Sequence, residues 1–577
     1  MSAIDKQIMD QVDIWLSGSY DDETKQSIRQ QLTTNPNEII DSFYKNLEFG
    51  TGGMRGKMGP GTNRMNVYTV GMATQGLANY LLKMFPNQEI AVAIAYDCRI
   101  NNHLFADTTA NVLSGNGIKV YLFDGMRPTP ELSYAVRHLG CQSGIVITAS
   151  HNPKDYNGYK VYWDDGAQLV NPHDQNVIDE VLAINSINEV KSEGNADLIY
   201  SIGKDIDVAY LAEVAAQALN PNVEGKEKVK IVFTPLHGTG GVLTPQFLID
   251  LGYTNTVVVE EQMVPDGNFP TAKSPNPEEP AALEMAIKKA KEVDADIVMA
   301  NDPDADRIGI AVKDSNGAYV LLNGNQTGAI LVKYMLESLK KQNKLRGNEI
   351  TVKTIVTSEL LKEISDSYDV KQYDVLTGFK WIADIVRKQE GQENFIVGLE
   401  ESFGYMIGDF VRDKDSVSAA LIIAEMAAVS SLEGKSLFDK LMDVYLEYGF
   451  YKEGLVNIVK EGKSGAEEIV AMMNNFRKNP PKVIAGSKVS IIKDYEALIE
   501  KNLLNGMDKQ IDLPESNVLQ YITEDGSKIS VRPSGTEPKI KFYVSVKENL
   551  NHKKDYDQVN KLLDDKIKNV LKDLELG

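Results

Sequence analysis

The stretch "EIAVAIAYDCRINNHLFADTTANVLSGNGIKVYLFD", Glu89 to Asp124, reads as one β-α-β unit. Glu89 to Asp97 is a short, nearly continuous apolar run, the pattern of a buried strand. "LFADTTANVLSGNG" has helical character and closes on glycine, and "IKVYLFD" supplies the second strand. Strand, helix and strand in succession give the rhythm of an α/β domain.

Outward from this unit the rhythm restarts twice. "KVKIVFTPLHG", "LTPQFLIDLG", "NTVVVEE", "PAALEMAIKKAKEVD" and "ADIVMAND" form a second block. "GAILVKYMLESLKKQ", "EITVKTIVTS", "NFIVGLEES" and "SAALIIAEMAAVSSLEG" form a third, and three blocks in series suggest structural repetition. Upstream, residues up to about Thr34 space charged and apolar side chains as a helix does, without proline. The final segment differs. "NVLQYITEDGSKISVRPSG" sets an Asp-Gly turn between alternating runs, "KIKFYVSVKE" is another strand, and a charged helix follows, which together read as a small α+β domain. The expected division is a helical extension at 1–40 and domains at 41–205, 206–317, 318–470 and 471–577.

A chain of 577 residues is too long for one hydrophobic core, so roughly three to five domains are expected. Hydrophobic content of 42% and charged content of 25% are ordinary for a globular protein. The net charge of −21 argues against a nucleic-acid binder, whose affinity rests on basic patches. It also requires any site for a phosphorylated substrate to gather cations locally. Cys98 and Cys141 offer no disulfide framework, which fits a reducing compartment. The first residues mix acidic with apolar side chains, unlike a signal peptide, and the longest apolar run, "SAALIIAEMAAV", is far short of a membrane span. The expectation is a cytoplasmic enzyme with neither a nucleic-acid nor a membrane partner.

Five segments carry chemistry. In "ANDPDADRIGI", Asp302, Asp304 and Asp306 stand at i, i+2 and i+4 where a strand opens into a loop, and such carboxylates can converge on one hard cation, Mg²⁺ or Ca²⁺. An EF-hand is excluded, because Arg307 and Lys313 occupy its glycine and glutamate positions. Six scattered histidines disfavour zinc, and a solvated acidic turn paired with Arg307 is the plainer alternative. In "GIVITASHNPKDYNGYK", Ser150 is a possible nucleophile and Lys160 the group that shuttles its proton, though alone Ser150 reads first as a turn or cap residue. Its neighbours Ala149 and His151 do not make the G-x-S-x-G elbow of a hydrolase.

"EFGTGGMRGKMGPGTNRMN" surrounds Arg55 with glycines but misses the dinucleotide fingerprint by one residue; it suits either close anion approach or a flexible loop. "VRPSGTEPKIKFY" offers Arg532, Ser534, Gly535 and Thr536 as a phosphate cradle, or a hairpin turn with a stray arginine. "VGLEESFGY" presents Glu400 and Ser402 as a paired acceptor and donor suited to sugar hydroxyls, and "LTGFKWI" offers Gly378 and Lys380. Each of these last two reads equally well as a surface loop.

Together and in this order, "TASHNP", "DPDADR", "EES" and "RPSGTEP" closely resemble the four signature loops of the α-D-phosphohexomutase superfamily, the phosphoglucomutases and phosphomannomutases. The resemblance spans about residues 45 to 560; "SHNPKDYNGYKVYWDDGAQ" and "VRDKDSVSA" look like its larger phosphoglucomutase and phosphopentomutase-like branch. It implies four domains around one cleft, three of similar mixed α/β topology and a smaller fourth related to the TATA-box-binding-protein fold. It implies a phosphoserine at Ser150, Mg²⁺ on Ser150, Asp302, Asp304 and Asp306, and proton transfer by Lys160. Arg55, His151 and Arg307 would flank the phosphoserine; Glu400, Ser402, Gly378, Phe379 and Lys380 would read the sugar; Arg532, Ser534, Gly535 and Thr536 would clamp the distal phosphate.

The implied reaction interconverts glucose 1- and 6-phosphates through glucose 1,6-bisphosphate, as a monomer or homodimer. Phosphomannomutase, phosphopentomutase and glucose 1,6-bisphosphate synthase activities are close alternatives, and a metal-dependent phosphohydrolase is the alternative of another class. Where bacterial members commonly carry a histidine after Glu-x-Ser, this chain continues Phe403, Gly404, Tyr405, which weakens the case for a histidine donor there and for mannose phosphate.

Overall fold

Ala91–Tyr96 is buried along its whole length, as an unbroken apolar run requires, and pairs in parallel with Lys119–Phe123 on one side and Ser143–Ile147 on the other. In the computed structural model, which describes residues 4–50, 53–460, 462–534 and 539–576, these strands lie at the heart of a seven-stranded sheet. Beyond Ser143–Ile147 the direction reverses: Tyr156–Trp163 pairs antiparallel with it, and Gly53–Lys57 antiparallel with that.

The second and third blocks repeat this plan. Ile231–Thr234 pairs in parallel with Thr256–Val258 and Ile297–Asn301, and Ile308–Lys313 returns antiparallel to the latter. Glu349–Thr354 pairs in parallel with Lys371–Val375 and Asn394–Glu400, and Gly404–Ile407 returns antiparallel. In each sheet the second strand, the first, the third and an antiparallel fourth stand side by side in that order, so the repetition suggested by the sequence blocks is topological. One consequence fixes the site. The loop between third and fourth strand holds Ser150 in the first sheet, the three aspartates in the second, and Ser402 in the third.

The last sheet is antiparallel throughout, in the order Phe450–Val459, Lys539–Glu548, Lys528–Pro533, Leu519–Thr523, Ser487–Asp494, Ile499–Asn502 and Met507–Gln510. The Asp-Gly hairpin falls where the sequence places it, between Leu519–Thr523 and Lys528–Pro533. The chain enters this sheet at Phe450, ahead of the boundary expected near 470, because Phe450–Val459 pairs residue for residue with Lys539–Glu548.

The N-terminal segment forms three helices, Lys6–Ser17, Asp22–Thr34 and Pro36–Phe43, closed around Val12, Trp15, Ile28, Ile39 and Phe43. They dock on the first domain. Trp15 packs edge-on against Tyr68 with centroids 5.5 Å apart, and the buried Arg64 holds Glu38 at 2.7 Å and Asp41 at 2.6 Å. "SAALIIAEMAAV" belongs to the helix Ser416–Leu432, buried on nearly all faces, which explains its missing polar face. Among the described residues no single helix is long and apolar enough to cross a membrane.

Candidate active site

Ser150 stands where the buried strand Ser143–Ile147 ends, at φ 51°, a left-handed conformation that turns its side chain out of the strand path. The loop is held from beneath. Arg99 donates to the carbonyl oxygens of Ser150 at 2.7 Å, Pro153 at 2.9 Å and Tyr156 at 3.0 Å, and also to that of Asn152. Thr148 accepts from the Ser150 N–H at 2.8 Å and donates to Asp97 at 2.6 Å. The Ser150 hydroxyl, buried to 2% exposure, donates to Asp302 Oδ2 at 2.9 Å and lies 3.2 Å from His151 Nδ1. Burial, with Arg307 and Arg55 nearby, holds the His151 pKa well below the usual imidazole range, so the ring is neutral.

Asp302, Asp304 and Asp306 are each buried, and one oxygen of each lies within 4.8 Å of the others. Asp302 Oδ1 accepts from the backbone N–H of Asp306 at 3.1 Å and of Arg307 at 3.0 Å, which curls the loop back on itself. Asp304 Oδ2 takes the Thr129 hydroxyl at 2.8 Å, while Oδ1 of Asp304 and of Asp306 is buried without a hydrogen-bond partner. Three buried carboxylates with an oxygen each within 4.8 Å of the others, two of them keeping an unpartnered oxygen, are the donor set of a hard divalent cation, so these residues fit Mg²⁺. The solvated acidic turn is thereby set aside.

Lys160 donates to Asp304 Oδ2 at 2.7 Å and to Asp306 Oδ2 at 3.0 Å, and Lys414 lies 3.3 Å from Asp306 Oδ2. Burial disfavours charge on both lysines, yet the carboxylates outweigh it and raise their pKa values; both are protonated. Asp306 is pushed low for the reciprocal reason: Lys160, Lys414 and Arg307 overcome its burial. Burial and its two acidic neighbours drive Asp302 well above the carboxylate range.

A cavity of about 910 Å³ opens from this cluster and is shared by all four sheets. Arg55, Ser150, His151 and Lys160 line its first wall, and Arg307 its second, held by Glu278 and donating to the Ser402 carbonyl at 3.1 Å. From the third domain come Gly378, Phe379, Lys380, Glu400 and Ser402; the Gly378 N–H donates to Glu400 Oε1 at 2.9 Å, so the two sugar-type loops are one unit. Gly378 needs its freedom here, at φ 120°. Arg532 arrives from the fourth domain. Ser534 closes the neighbouring hairpin by donating its N–H to the Lys539 carbonyl at 2.7 Å, whereas Gly535 and Thr536 lie outside the described residues.

The expected cationic field is only partly supplied by the expected residues. Lys160 is committed to two aspartates, and Lys380 Nζ lies 3.4 Å from Asp174 Oδ2 of the first domain. Among the described residues Arg55 hydrogen-bonds a neutral partner, donating to Asn152 Oδ1 at 3.0 Å. Lys541, the cross-strand partner of Arg532, lines the cavity and makes no hydrogen bond or ion pair among the described residues. Lys414, Lys541, Arg99 and Thr129 escaped the sequence reading, Lys414 despite lying within the quoted "VRDKDSVSA". Tyr405 donates its hydroxyl to the Gly324 carbonyl at 3.1 Å and is buried in the sheet, so it takes no part in the cavity.

Three repeated sheets, an antiparallel fourth and one cavity shared among them define a four-domain, cleft-centred class of α/β protein. Models of phosphoglucomutase/phosphomannomutase alpha/beta/alpha domains I, II and III match residues 46–188, 208–317 and 323–448, and that of the C-terminal domain matches 470–567. The chain belongs to the phosphoglucomutase/phosphomannomutase family. It is 39% identical over 533 residues to a phosphoglucomutase of Staphylococcus haemolyticus, covering 91% of this chain and 94% of that protein. It is 40% identical over 541 residues to a phosphoglucomutase of Staphylococcus aureus, covering 93% and 95%. Among solved structures, a phosphoglucomutase/phosphomannomutase family protein from Burkholderia thailandensis superposes with a TM-score of 0.65 at 18% identity, over 92% of this chain and 98% of that one. Parafusin from Paramecium gives 0.67 at 17%, over 92% and 95%. These two establish likeness of fold.

Proposed function

We propose that this protein is a Mg²⁺-dependent phosphoglucomutase, converting α-D-glucose 1-phosphate to glucose 6-phosphate by way of a phosphorylated Ser150 and glucose 1,6-bisphosphate. The observation that carries the reading is the 2.9 Å contact of the Ser150 hydroxyl with the aspartate trio at one end of a cavity that reaches Arg532 at another. The Staphylococcus relatives named phosphoglucomutase support it across nearly the whole chain. Asp302, Asp304 and Asp306, with a serine phosphate oxygen, would hold Mg²⁺, which when bound neutralises charge on a transferring phosphoryl group.

The chain's own groups do the rest. Arg532 and Lys541, with Ser534, Gly535 and Thr536 as the further ligands, bind the phosphate already on the sugar, leaving the free hydroxyl toward Ser150. Glu400 and Ser402 orient the ring, and Arg55 faces the oxygens of the group in transit. In the transfer, the bond from phosphorus to Ser150 Oγ breaks as the sugar hydroxyl bonds to phosphorus, and the hydroxyl proton ends on Oγ. Neutral His151 sets a base 3.2 Å from that oxygen, and protonated Lys160, held on Asp304 and Asp306 of the same cluster, is the acid, their pKa values driven apart by their surroundings. The bisphosphate then turns end for end and returns its other phosphate to Ser150. Closing of the four domains on the bound sugar would exclude the water that hydrolyses the phosphoserine. The two free cysteines agree with a cytoplasmic enzyme, working on a small phosphosugar as a monomer or homodimer.

The test is conversion of glucose 1-phosphate with and without Mg²⁺ and trace glucose 1,6-bisphosphate, beside Ser150→Ala. Isomerisation that needs both and disappears in the variant is expected. Release of inorganic phosphate as the sole outcome would establish the hydrolase instead, and near-normal turnover by Ser150→Ala would remove the serine from the mechanism.

A further inference from the structure

Between Ser487–Asp494 and Leu519–Thr523 the fourth domain inserts a long excursion: the hairpin of Ile499–Asn502 and Met507–Gln510, then a strap from Ile511 to Asn517. The hairpin's second strand is wholly exposed, but the base of the excursion is not. Tyr495 and Val518 are buried at 2% and 1% exposure, in a cluster with Ile355, Val356 and Leu376 of the third domain. Leu513 and Ile511 of the strap pack on the same cluster, as does Trp381 in the first turn of the helix Phe379–Gln389, which Gly378 precedes.

Hydrogen bonds pin the base. The N–H of Tyr495 donates to the Val518 carbonyl at 3.1 Å, and that of Ser516 donates to the Tyr495 carbonyl at 3.1 Å. The Tyr495 hydroxyl donates to Gln520 Oε1 at 2.8 Å, and Gln520 Nε2 donates to the Ile355 carbonyl at 2.7 Å. Glu515 and Ser516, between Leu513 and Val518, are thus delivered to the cavity wall beside Thr377 and Trp381.

The other cavity carboxylates are engaged. Glu400 takes the Gly378 N–H, Glu278 takes Arg307, Glu401 takes Thr354 and Thr357, Glu453 takes Ser545, and Asp306 takes its lysines. Glu515 makes no hydrogen bond or ion pair among the described residues. A carboxylate repels both phosphates of the intermediate, so the part of the substrate it suits is the neutral ring, whose adjacent hydroxyls are donors to two acceptor oxygens. We infer that Glu515, presented by this strap, is a specificity-determining residue that accepts hydrogen bonds from ring hydroxyls of the phosphosugar.

This inference rests on the mutase reading above, and the experiment separates the two. Wild type, Glu515→Ala and Glu515→Gln are assayed with glucose 1-phosphate and with its 2-, 3- and 4-deoxy analogues, Mg²⁺ and bisphosphate present. Glu515→Ala should raise KM for glucose 1-phosphate about tenfold with kcat within about twofold, and Glu515→Gln should recover part of the loss. The penalty should vanish for the deoxy analogue that lacks the hydroxyl Glu515 reads. Unchanged constants, or an equal loss on every sugar, overturn the inference while wild-type isomerisation keeps the mutase reading. A wild type that isomerises none of these sugars overturns both.

Discussion

Arg99 donates to the carbonyl oxygen of Ser150 at 2.7 Å, so the backbone that presents the reactive hydroxyl is gripped by a guanidinium from the neighbouring strand end. Arg99 is buried at 3% exposure and its Nε lies 3.5 Å from Asp97 Oδ2. A lysine keeps the charge but loses the planar fork that spans several carbonyls. Arg99→Lys should therefore lower kcat by about 10²-fold with a smaller change in KM, since a misplaced nucleophile costs the chemical step. Steady-state kinetics beside thermal melts check this; an unchanged kcat would show that the loop holds its own shape.

Thr129, at the start of the helix Thr129–His138, touches the metal-type trio without belonging to it. Its N–H donates to the Asp304 carbonyl at 2.9 Å and its hydroxyl to Asp304 Oδ2 at 2.8 Å. Thr129→Val preserves shape and removes the donor. The Mg²⁺ concentration for half-maximal activity should rise by about 10- to 100-fold, and direct Mg²⁺ titration by calorimetry should show the same loss. Equal Mg²⁺ affinities would confine Thr129 to packing.

Glu131, two residues on, is fully buried with neither carboxylate oxygen hydrogen-bonded, and burial with Asp207 nearby holds its pKa well above the carboxylate range. Arg127 eases this only in part, being committed to Asp207 at 2.7 Å, and Asp415 adds to it. A carboxyl whose folded pKa is raised stabilises the fold below its unfolded pKa, and that contribution is lost as pH rises through the folded value. Glu131→Gln removes this dependence. Its melting temperature should exceed that of wild type at pH 8 and the margin should shrink toward pH 5; a margin independent of pH would count against a protonated Glu131.

Lys528 ties the fourth domain to the third. It donates to the carbonyls of Ile355 at 2.9 Å and Thr357 at 3.0 Å and pairs with Glu359, which Lys353 holds at 3.0 Å from the other side. Lys528→Met should destabilise by about 3 kcal/mol, because buried acceptors lose their donor. Amide exchange should quicken at Leu519–Thr523 and Lys528–Pro533 ahead of the first three sheets, and KM should rise as Arg532 loses its fixed position. Uniform exchange across all four sheets would place the loss elsewhere.

Local order determined what could be read directly. A strand shows itself in its own apolar run, and Asp302, Asp304 and Asp306 declare a shared loop because alternate residues at a strand end lie within one turn of each other. The β-α-β rhythm, the Asp-Gly hairpin and the order of the four signature segments belong to this kind. Tertiary structure alone decided which charges are spent and which are available: Lys160, read as the proton shuttle, and Lys380, read as a sugar-loop residue, are bound to carboxylates distant in sequence, while Lys541 has no such partner among the described residues. Arg99 beneath Ser150, Thr129 on Asp304 and the strap bearing Glu515 leave no periodicity to detect. Their positions come from sheet pairing and domain docking, and an ion pair or hydrogen bond across scores of residues has no signature in either local neighbourhood.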